Sequence, residues 1–446
     1  MKLEDLDKKH VWHPYTQMKD WQKFDIRVIE KAMGMYLIDT EGRKYLDGIA
    51  SMWCNVWGHT RKEIVNAIIK QTMKLQHSSL FGLANEPSIR LAEMVVKEAE
   101  GMSRVFYSDN GSSAMEVALK VALQYWRNLR IYNKRRFVSL QNGYHGDTVG
   151  AMSVGYIENF FSNYKEMLFK VEKVPSPYLY RRPRGMSENE LVAHCIDSIE
   201  QILKNNDDVA AVVMESGAQL AGGAILYPDG YQKEVGRLCK KYDILLILDE
   251  IATGFGRLGS MIEYIAQEST PDIVVFGKML TAGYLPLAVT LATEEIHDSF
   301  LGEYDEHKQL FHGHTFTGNP IACATAISNL QLYRKEKLIE EVRRKARIVS
   351  KRLEEIRNIE IVGDVRHKGM LAGIELVKDK RSRKPYTVEK DKISYLIMRE
   401  SLKRGVFLRS LGHIIMLVPP LAISSKDLDI LIDKATEVIN RIQKEQ

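Results

Sequence analysis

Unbroken apolar stretches of strand length recur along this chain, and each ends abruptly at polar or charged residues. Arg104-Val-Phe-Tyr107 runs into Ser108-Asp109, Phe137-Val-Ser-Leu140 into Asn142-Gly-Tyr144-His145, and Val209-Ala-Ala-Val-Val-Met214 into Glu215. Ile244-Leu-Leu-Ile-Leu248 stops at Asp249-Glu250, and Ile273-Val-Val-Phe276 at Gly277-Lys278. Runs without polar alternation predict parallel strands buried on both faces, and periodicity alone leaves short buried helices open. Between the runs lie segments with helical spacing: Ala114, Val117, Ala118, Val121, Ala122 and Tyr125 repeat at three and four residues along one helical face. This alternation, from about residue 61 to 330, predicts an α/β fold with a mainly parallel sheet flanked by helices. Residues 1–60 form an aromatic-rich arm with a hairpin around Asp39-Thr-Glu-Gly42. Residues 331–446 open on a long charged helical pattern, Tyr333–Ile356. Short strands (Met370–Leu376, Val406–Leu408, Ile414–Leu417) and helices near Ile393–Arg404 and Lys426–Ile442 follow, making a smaller α+β part. Asp379–Pro385, charged and lacking an apolar anchor, is the expected flexible loop.

Open α/β sheets bind ligands beyond the carboxyl ends of their strands, so the groups that follow these five runs matter together. Asp249 and Lys278 bring an acid and an amine to one edge. The Ser108–Ser113 loop opens a helix, so Gly111 and Ser112 offer backbone amides, a hydroxyl and a positive helix end, which suit a phosphate. Ser113 and Glu116 also fit a capping box, and both roles can hold at once. Tyr144 stands beside His145 and Asp147 in one turn, a flat aromatic suited to a planar ring. Glu215 adds a further acid. Pyridoxal phosphate needs a lysine for its Schiff base and an acid that keeps its pyridine nitrogen protonated. For any single strand end an ordinary surface charge is the simpler account; five complementary ends favour the cofactor.

On these residues the chain resembles the class III, fold-type I pyridoxal-phosphate aminotransferases. The resemblance runs from Trp12-His-Pro-Tyr-Thr-Gln-Met18 to Val418-Pro-Pro420. It centres on Leu248-Asp-Glu-Ile-Ala-Thr-Gly-Phe-Gly-Arg-Leu-Gly259 with Gly277-Lys278, the lysine lying 29 positions after Asp249. Within the class, five stretches are most similar to the biotin-pathway branch: Trp12-His-Pro-Tyr15, Ser51-Met-Trp-Cys-Asn-Val56, Tyr144-His-Gly-Asp-Thr148, Phe311-His-Gly-His-Thr315 and Gly405-Val-Phe-Leu-Arg409. The resemblance implies a large cofactor-binding domain (61–330), a small domain made from the arm and residues 331–446, and a homodimer whose subunits share active sites. It makes Lys278 the cofactor-bearing catalytic lysine, with Asp249 on the ring nitrogen and Tyr15 a third catalytic residue. Gly111, Ser112, Tyr144, His314 and Thr315 hold the cofactor, Thr315 coming from the neighbouring subunit. The implied acceptor is 8-amino-7-oxononanoate, met by Tyr15, Trp53, Tyr144, Lys278, Gly313 and Arg409. An aliphatic chain wants aromatic walls and a carboxylate wants a bidentate guanidinium. Tyr15 and Trp53 have a second reading as core aromatics. His145, Asp147 and Glu215 either orient Asp249 and the ring or are satisfied polar residues at the sheet edge. Ser410 and His314 stand where prolines are usual. The donor stays open between S-adenosylmethionine and lysine, and another class III ω-amino acid aminotransferase is the alternative activity.

Composition narrows the rest. The chain has 446 residues, 45% of them hydrophobic, and a formal charge of only +5. Basic clusters at Arg135-Arg136, Arg181–Arg184 and Lys378–Lys384 are scattered, which favours solvated surface over a nucleic-acid face. The charged start and the lack of a long apolar segment predict neither a signal peptide nor a membrane span. Cys54, Cys195, Cys239 and Cys323 are widely spaced, which fits a reducing cytoplasm better than disulfides or a zinc ribbon. Gly254-Phe-Gly-Arg-Leu-Gly259 matches a dinucleotide fingerprint, but five residues separate it from its strand. His312 and His314 lack a third ligand at supporting spacing, so no metal is expected. A cofactor-binding regulator without catalysis would show a fused DNA-binding module or a lost lysine, and the sequence shows neither.

Overall fold

The computed structural model describes residues 1–387 and 391–444. Its central sheet has seven strands: β1 (Arg104–Ser108), β2 (Arg136–Leu140), β3 (Glu172–Val174), β4 (Val209–Glu215), β5 (Leu245–Asp249), β6 (Ile273–Phe276) and β7 (Ala288–Ala292). Across the sheet they run β1-β7-β6-β5-β4-β2-β3. Neighbours are parallel except at β7, which is antiparallel to both β6 and β1. Every residue of β4, β5 and β6 is buried, as unbroken apolar runs require. β7 is as apolar as its neighbours. Its direction follows from the short Gly277–Leu287 connection, which leaves no room for a crossover helix.

The five expected strand ends lie at one edge, and Asp249 pairs in register with Glu215 there. The helix Gly111–Asn128 follows β1 and buries all six residues of its expected face, and also Met115, Leu119 and Trp126. Its cap corrects the sequence reading. Asn110 is the N-cap, its side chain accepting from Ser113 N at 3.0 Å, so Ser113 already lies inside the helix. Glu116 instead accepts from Gly150 N (2.6 Å) and Ala151 N (3.2 Å), closing the start of the neighbouring helix Val149–Gly155.

Both ends of the chain share a second sheet. The antiparallel strands Ile29–Met33, Tyr36–Asp39 and Lys44–Asp47 include the expected hairpin, and Val406–Phe407 joins them parallel to Lys44–Asp47. A third sheet holds Val362–Lys368, Leu371–Asp379, Ile414–Leu417 and Arg409–Leu411. The single strand expected at Val406–Leu408 therefore ends early. The chain leaves the second sheet at Phe407 and enters the third at Arg409, and this change of sheet aims the Arg409 side chain.

Two other expectations change. The Tyr333–Ile356 pattern is two helices, Pro320–Lys335 and Leu338–Arg357, broken where Lys337 takes φ 49° without any Gly or Pro to announce it. Asp379–Pro385 is a hairpin rather than a loose loop. Lys384–Pro385 pairs back on Val377 and Asp379, and Arg383 Nη1 donates to Tyr180 O at 2.6 Å, so hydrogen bonds replace the missing apolar anchor. Several clustered basic residues are engaged internally, Arg136 with Asp208 and Glu172, and Arg181 with Glu375. The four cysteines are free. Among the described residues no helix is long and apolar enough to cross a membrane.

Candidate active site

A cleft of about 680 Å³ opens at the carboxyl edge of the central sheet. Its lining includes Trp53, Gly111, Ser112, Tyr144, His145, Asp147, Glu215, Asp249 and Lys278, so most of the sequence-predicted residues converge on one space. Asp249 ends β5 and is buried. One carboxylate oxygen accepts from Ile251 N (2.9 Å) and the other from His145 Nδ1 (2.8 Å). Glu215 is buried behind the Tyr144 turn and accepts from Tyr144 N (3.2 Å) and Leu220 N (2.9 Å). Burial, and then the neighbouring Asp249 carboxylate, push its carboxyl up to about 8.

Lys278 begins the 3₁₀ turn after β6 with φ 40°. Tyr15 (φ 51°) and Trp53 (φ 66°) share this left-handed backbone. It costs a non-glycine residue about 1–2 kcal/mol, and such strain concentrates at functional sites. Lys278 Nζ lies 5.8 Å from the centre of the Trp53 ring and makes no hydrogen bond among the described residues. Burial lowers its affinity for a proton, against the pull of Asp249 and Glu215. A free amine and an acid therefore share the cleft.

Tyr15 and Arg409 are not among the residues that line the cleft; each lies beside it, touching a lining residue, Asp147 for Tyr15 and Met52 for Arg409. Tyr15 OH donates to Asp147 Oδ1 at 2.5 Å, and Tyr144 OH reaches the same oxygen at 3.2 Å. Burial, then the bond to Asp147, hold the Tyr15 hydroxyl far above its ordinary range; burial takes Tyr144 to about 12. The Arg409 guanidinium sits 5.9 Å from the centre of the Tyr15 ring, with Nη1 3.5 Å from Met52 Sδ. It has no acidic partner among the described residues. Trp53 is buried in a core cluster with Ile49, Ala218 and Leu258 and also lines the cleft, so it answers to both readings, whereas Tyr15 is about half exposed and is no core aromatic. Ser410 lies in a short hairpin opposite Ile415.

Gly313, His314 and Thr315 do not line the cleft of their own chain. Thr315 and Gly313 are exposed, and His314 Nδ1 lies 3.2 Å from Asp109 Oδ2 at the cleft edge. The Ser112 hydroxyl is also committed differently from its expected role. It accepts from Thr148 N at 3.0 Å and lies 2.9 Å from Thr148 Oγ1, which secures the Asp147–Thr148 turn. What remains for an anion is a pair of amides, Gly111 N and Ser112 N, with no partner among the described residues. The sequence reading missed Met52, Ile251, Thr148 and Leu285–Leu287, which also line the cleft. Ile251 could have been anticipated from its place two residues after Asp249. The others carry no chemical signal of their own.

The class-III aminotransferase family model matches residues 17–439. The chain belongs to the class-III aminotransferases. It is 44% identical to the adenosylmethionine-8-amino-7-oxononanoate aminotransferase of Aquifex aeolicus over 99% of this chain and 98% of that one. The crystal structure of the Methanocaldococcus jannaschii enzyme of the same name superposes with a TM-score of 0.92 at 44% identity, covering 98% of each chain. An omega transaminase from Pseudomonas jessenii in complex with PMP gives 0.95 at 28% identity, covering 100% of this chain and 99% of that one.

The family makes this protein a pyridoxal-phosphate-dependent aminotransferase of fold-type I, and the cleft fits that cofactor. It offers a free amine, an acid held by two donors, and unpartnered amides at a helix start. A Cβ at Gly111 would stand 2.7 Å from Ile251 Cδ1, so a side chain there would have to displace Ile251 at the cleft wall.

One prediction concerns the scaffold of this site. Glu215 binds its proton more tightly folded than unfolded, so its contribution to stability is full below its unfolded value near pH 4.3. That contribution is lost as pH rises through about 8. Glu215→Gln, which cannot ionise, should remove this loss, worth on the order of 2–4 kcal/mol at alkaline pH. Urea denaturation of cofactor-free protein from pH 5 to 9 checks it: the wild type should lose stability more steeply than the variant.

Proposed function

We propose that this aminotransferase moves an amino group from S-adenosylmethionine to 8-amino-7-oxononanoate, giving 7,8-diaminononanoate for biotin synthesis. The observation that carries the reading is full-length similarity at 42–44% identity to several enzymes named for that donor and acceptor. The surroundings of the cleft support it: Arg409 touches the lining residue Met52 and lies over the Tyr15 ring, and it has no carboxylate partner among the described residues. Donor-by-donor transfer to 8-amino-7-oxononanoate tests it.

Pyridoxal phosphate, when bound, supplies the electron-accepting ring that drains charge from the carbon next to the transferred nitrogen. Asp249, fixed by His145 Nδ1 and Ile251 N, would hold the proton on the ring nitrogen that makes this possible. Lys278 would hold the cofactor and, when its amine is free, would carry the proton between the substrate carbon and the cofactor. Its low proton affinity suits that base role. The Gly111 and Ser112 amides would hold the phosphate, and Tyr144 would pack against the ring. Glu215 supports the Tyr144 turn through its backbone amide. Tyr15 and Trp53 wall the acceptor chain, and Arg409 clamps its carboxylate.

Residues 1–60 and 331–446 act as one small domain beside the large domain 61–330, in keeping with the sheet that the two chain ends share. The working unit is a cytoplasmic homodimer in which Gly313, His314 and Thr315 serve the neighbour's cleft. In support, Thr315 is exposed beside Phe311 and Phe316, which are 70% and 53% exposed, large apolar groups that call for a cover. Mixing inactive Lys278→Ala subunits with inactive Thr315→Asp subunits should restore activity, because each hybrid dimer keeps one complete site. No recovery despite proven subunit exchange would contradict shared sites.

A further inference from the structure

Phe160 belongs to no motif that points to this site, yet it touches the residue that meets the acceptor in the function proposed above. Tyr15 is half exposed on a left-handed backbone, so its own segment does little to fix its ring. Four neighbours do, one of them the Tyr144 hydroxyl beside its own. Asp147 accepts from its hydroxyl, Arg409 lies over its ring, and Phe160 meets the ring edge-on, with centroids 5.2 Å apart and planes at 69°. The hydrogen bond leaves the ring free to turn about its long axis, and an unpaired guanidinium over a ring face tolerates sliding. The Phe160 edge fixes the tilt.

Phe160 sits on the one-turn helix Glu158–Phe161, which follows the helix after the Tyr144 turn. It also meets Tyr144 edge-on at 6.4 Å, while the buried Phe161 stacks on Tyr144 at 6.2 Å and 14°. Two consecutive phenylalanines thus back two tyrosines whose hydroxyls converge on one oxygen of Asp147.

We propose that Phe160 is a positioning residue for the acceptor: it holds Tyr15 at the angle that leaves an aliphatic slot between Tyr15 and Tyr144 leading to Arg409. This rests on the acceptor reading given above. A donor that does not touch Tyr15 does not depend on it.

The test uses full-length holoenzyme and follows the two half-reactions separately. Phe160→Ala should lower kcat/KM for the acceptor about tenfold, mainly through KM, and leave the donor half-reaction within about twofold. Phe160→Tyr, which keeps the ring, should restore the acceptor reaction. In a Tyr15→Ala background, adding Phe160→Ala should cost almost nothing more, because the two residues act as one unit. A crystal structure of Phe160→Ala with no substrate present should show the Tyr15 ring turned away from its wild-type tilt or spread over several orientations. Equal loss in both half-reactions, additive losses with Tyr15→Ala, or an unchanged Tyr15 ring would each overturn the proposal. Should the unsubstituted enzyme fail to aminate 8-amino-7-oxononanoate, the acceptor reading falls, and the ring orientation still decides whether Phe160 holds Tyr15.

Discussion

Replacing Lys278 with Ala should abolish transamination, with a loss of at least the ~10²–10⁴-fold typical of a positioned acid–base group, added to loss of the covalent anchor. The size follows from isolation. Lys278 is the amine that faces Asp249 and Glu215 across the cleft, and its Nζ makes no other bond among the described residues. The purified wild type should be yellow. Borohydride should bleach it and leave the cofactor covalently on Lys278, as peptide mass spectrometry would locate. Lys278→Ala protein should lack that label while folding normally. Near-normal turnover in the variant would remove Lys278 from the mechanism.

Arg409→Ala should separate the two substrates. Arg409 stands over Tyr15 at the rim with no acid of its own. A charge-assisted bidentate contact to the acceptor carboxylate is worth on the order of 1.5–3 kcal/mol, so the acceptor half-reaction should fall about 10- to 150-fold. The donor half-reaction, followed by the cofactor spectrum in single turnovers, should fall much less. Arg409→Lys should rescue little, because an ammonium lacks the planar fork. Equal damage to both halves would mean that Arg409 binds a carboxylate common to donor and acceptor.

Much of this site was legible because it sits at strand ends. A buried parallel strand must end where its apolar run ends, so Asp249, Glu215 and Lys278 were located by the last hydrophobic residue before them. Parallel direction then carried them to one edge. What stayed hidden depends on geometry that composition does not encode. Asn110 rather than Ser113 caps the helix because the chain turns one residue before Gly111, and Asn110 lacks the glutamate three residues on that made Ser113 fit the capping-box pattern. The Ser112 hydroxyl is spent on Thr148, a partner 36 positions away. The sheet change at Leu408 that presents Arg409 left no mark in an apolar Val-Phe-Leu stretch. Phe160 gained its place only through ring contacts with Tyr15 and Tyr144, which no periodicity announces.

The central claim is the reaction itself, and one assay addresses it. Purified enzyme loaded with pyridoxal phosphate is given 8-amino-7-oxononanoate with S-adenosylmethionine, lysine or an ω-amino acid in separate reactions, and 7,8-diaminononanoate is quantified by mass spectrometry. The account predicts product with S-adenosylmethionine well above that with the other donors. Product with lysine alone would keep the acceptor and replace the donor. No diaminononanoate from any donor, with brisk transfer from ω-amino acids to a simple keto acid, would contradict the account.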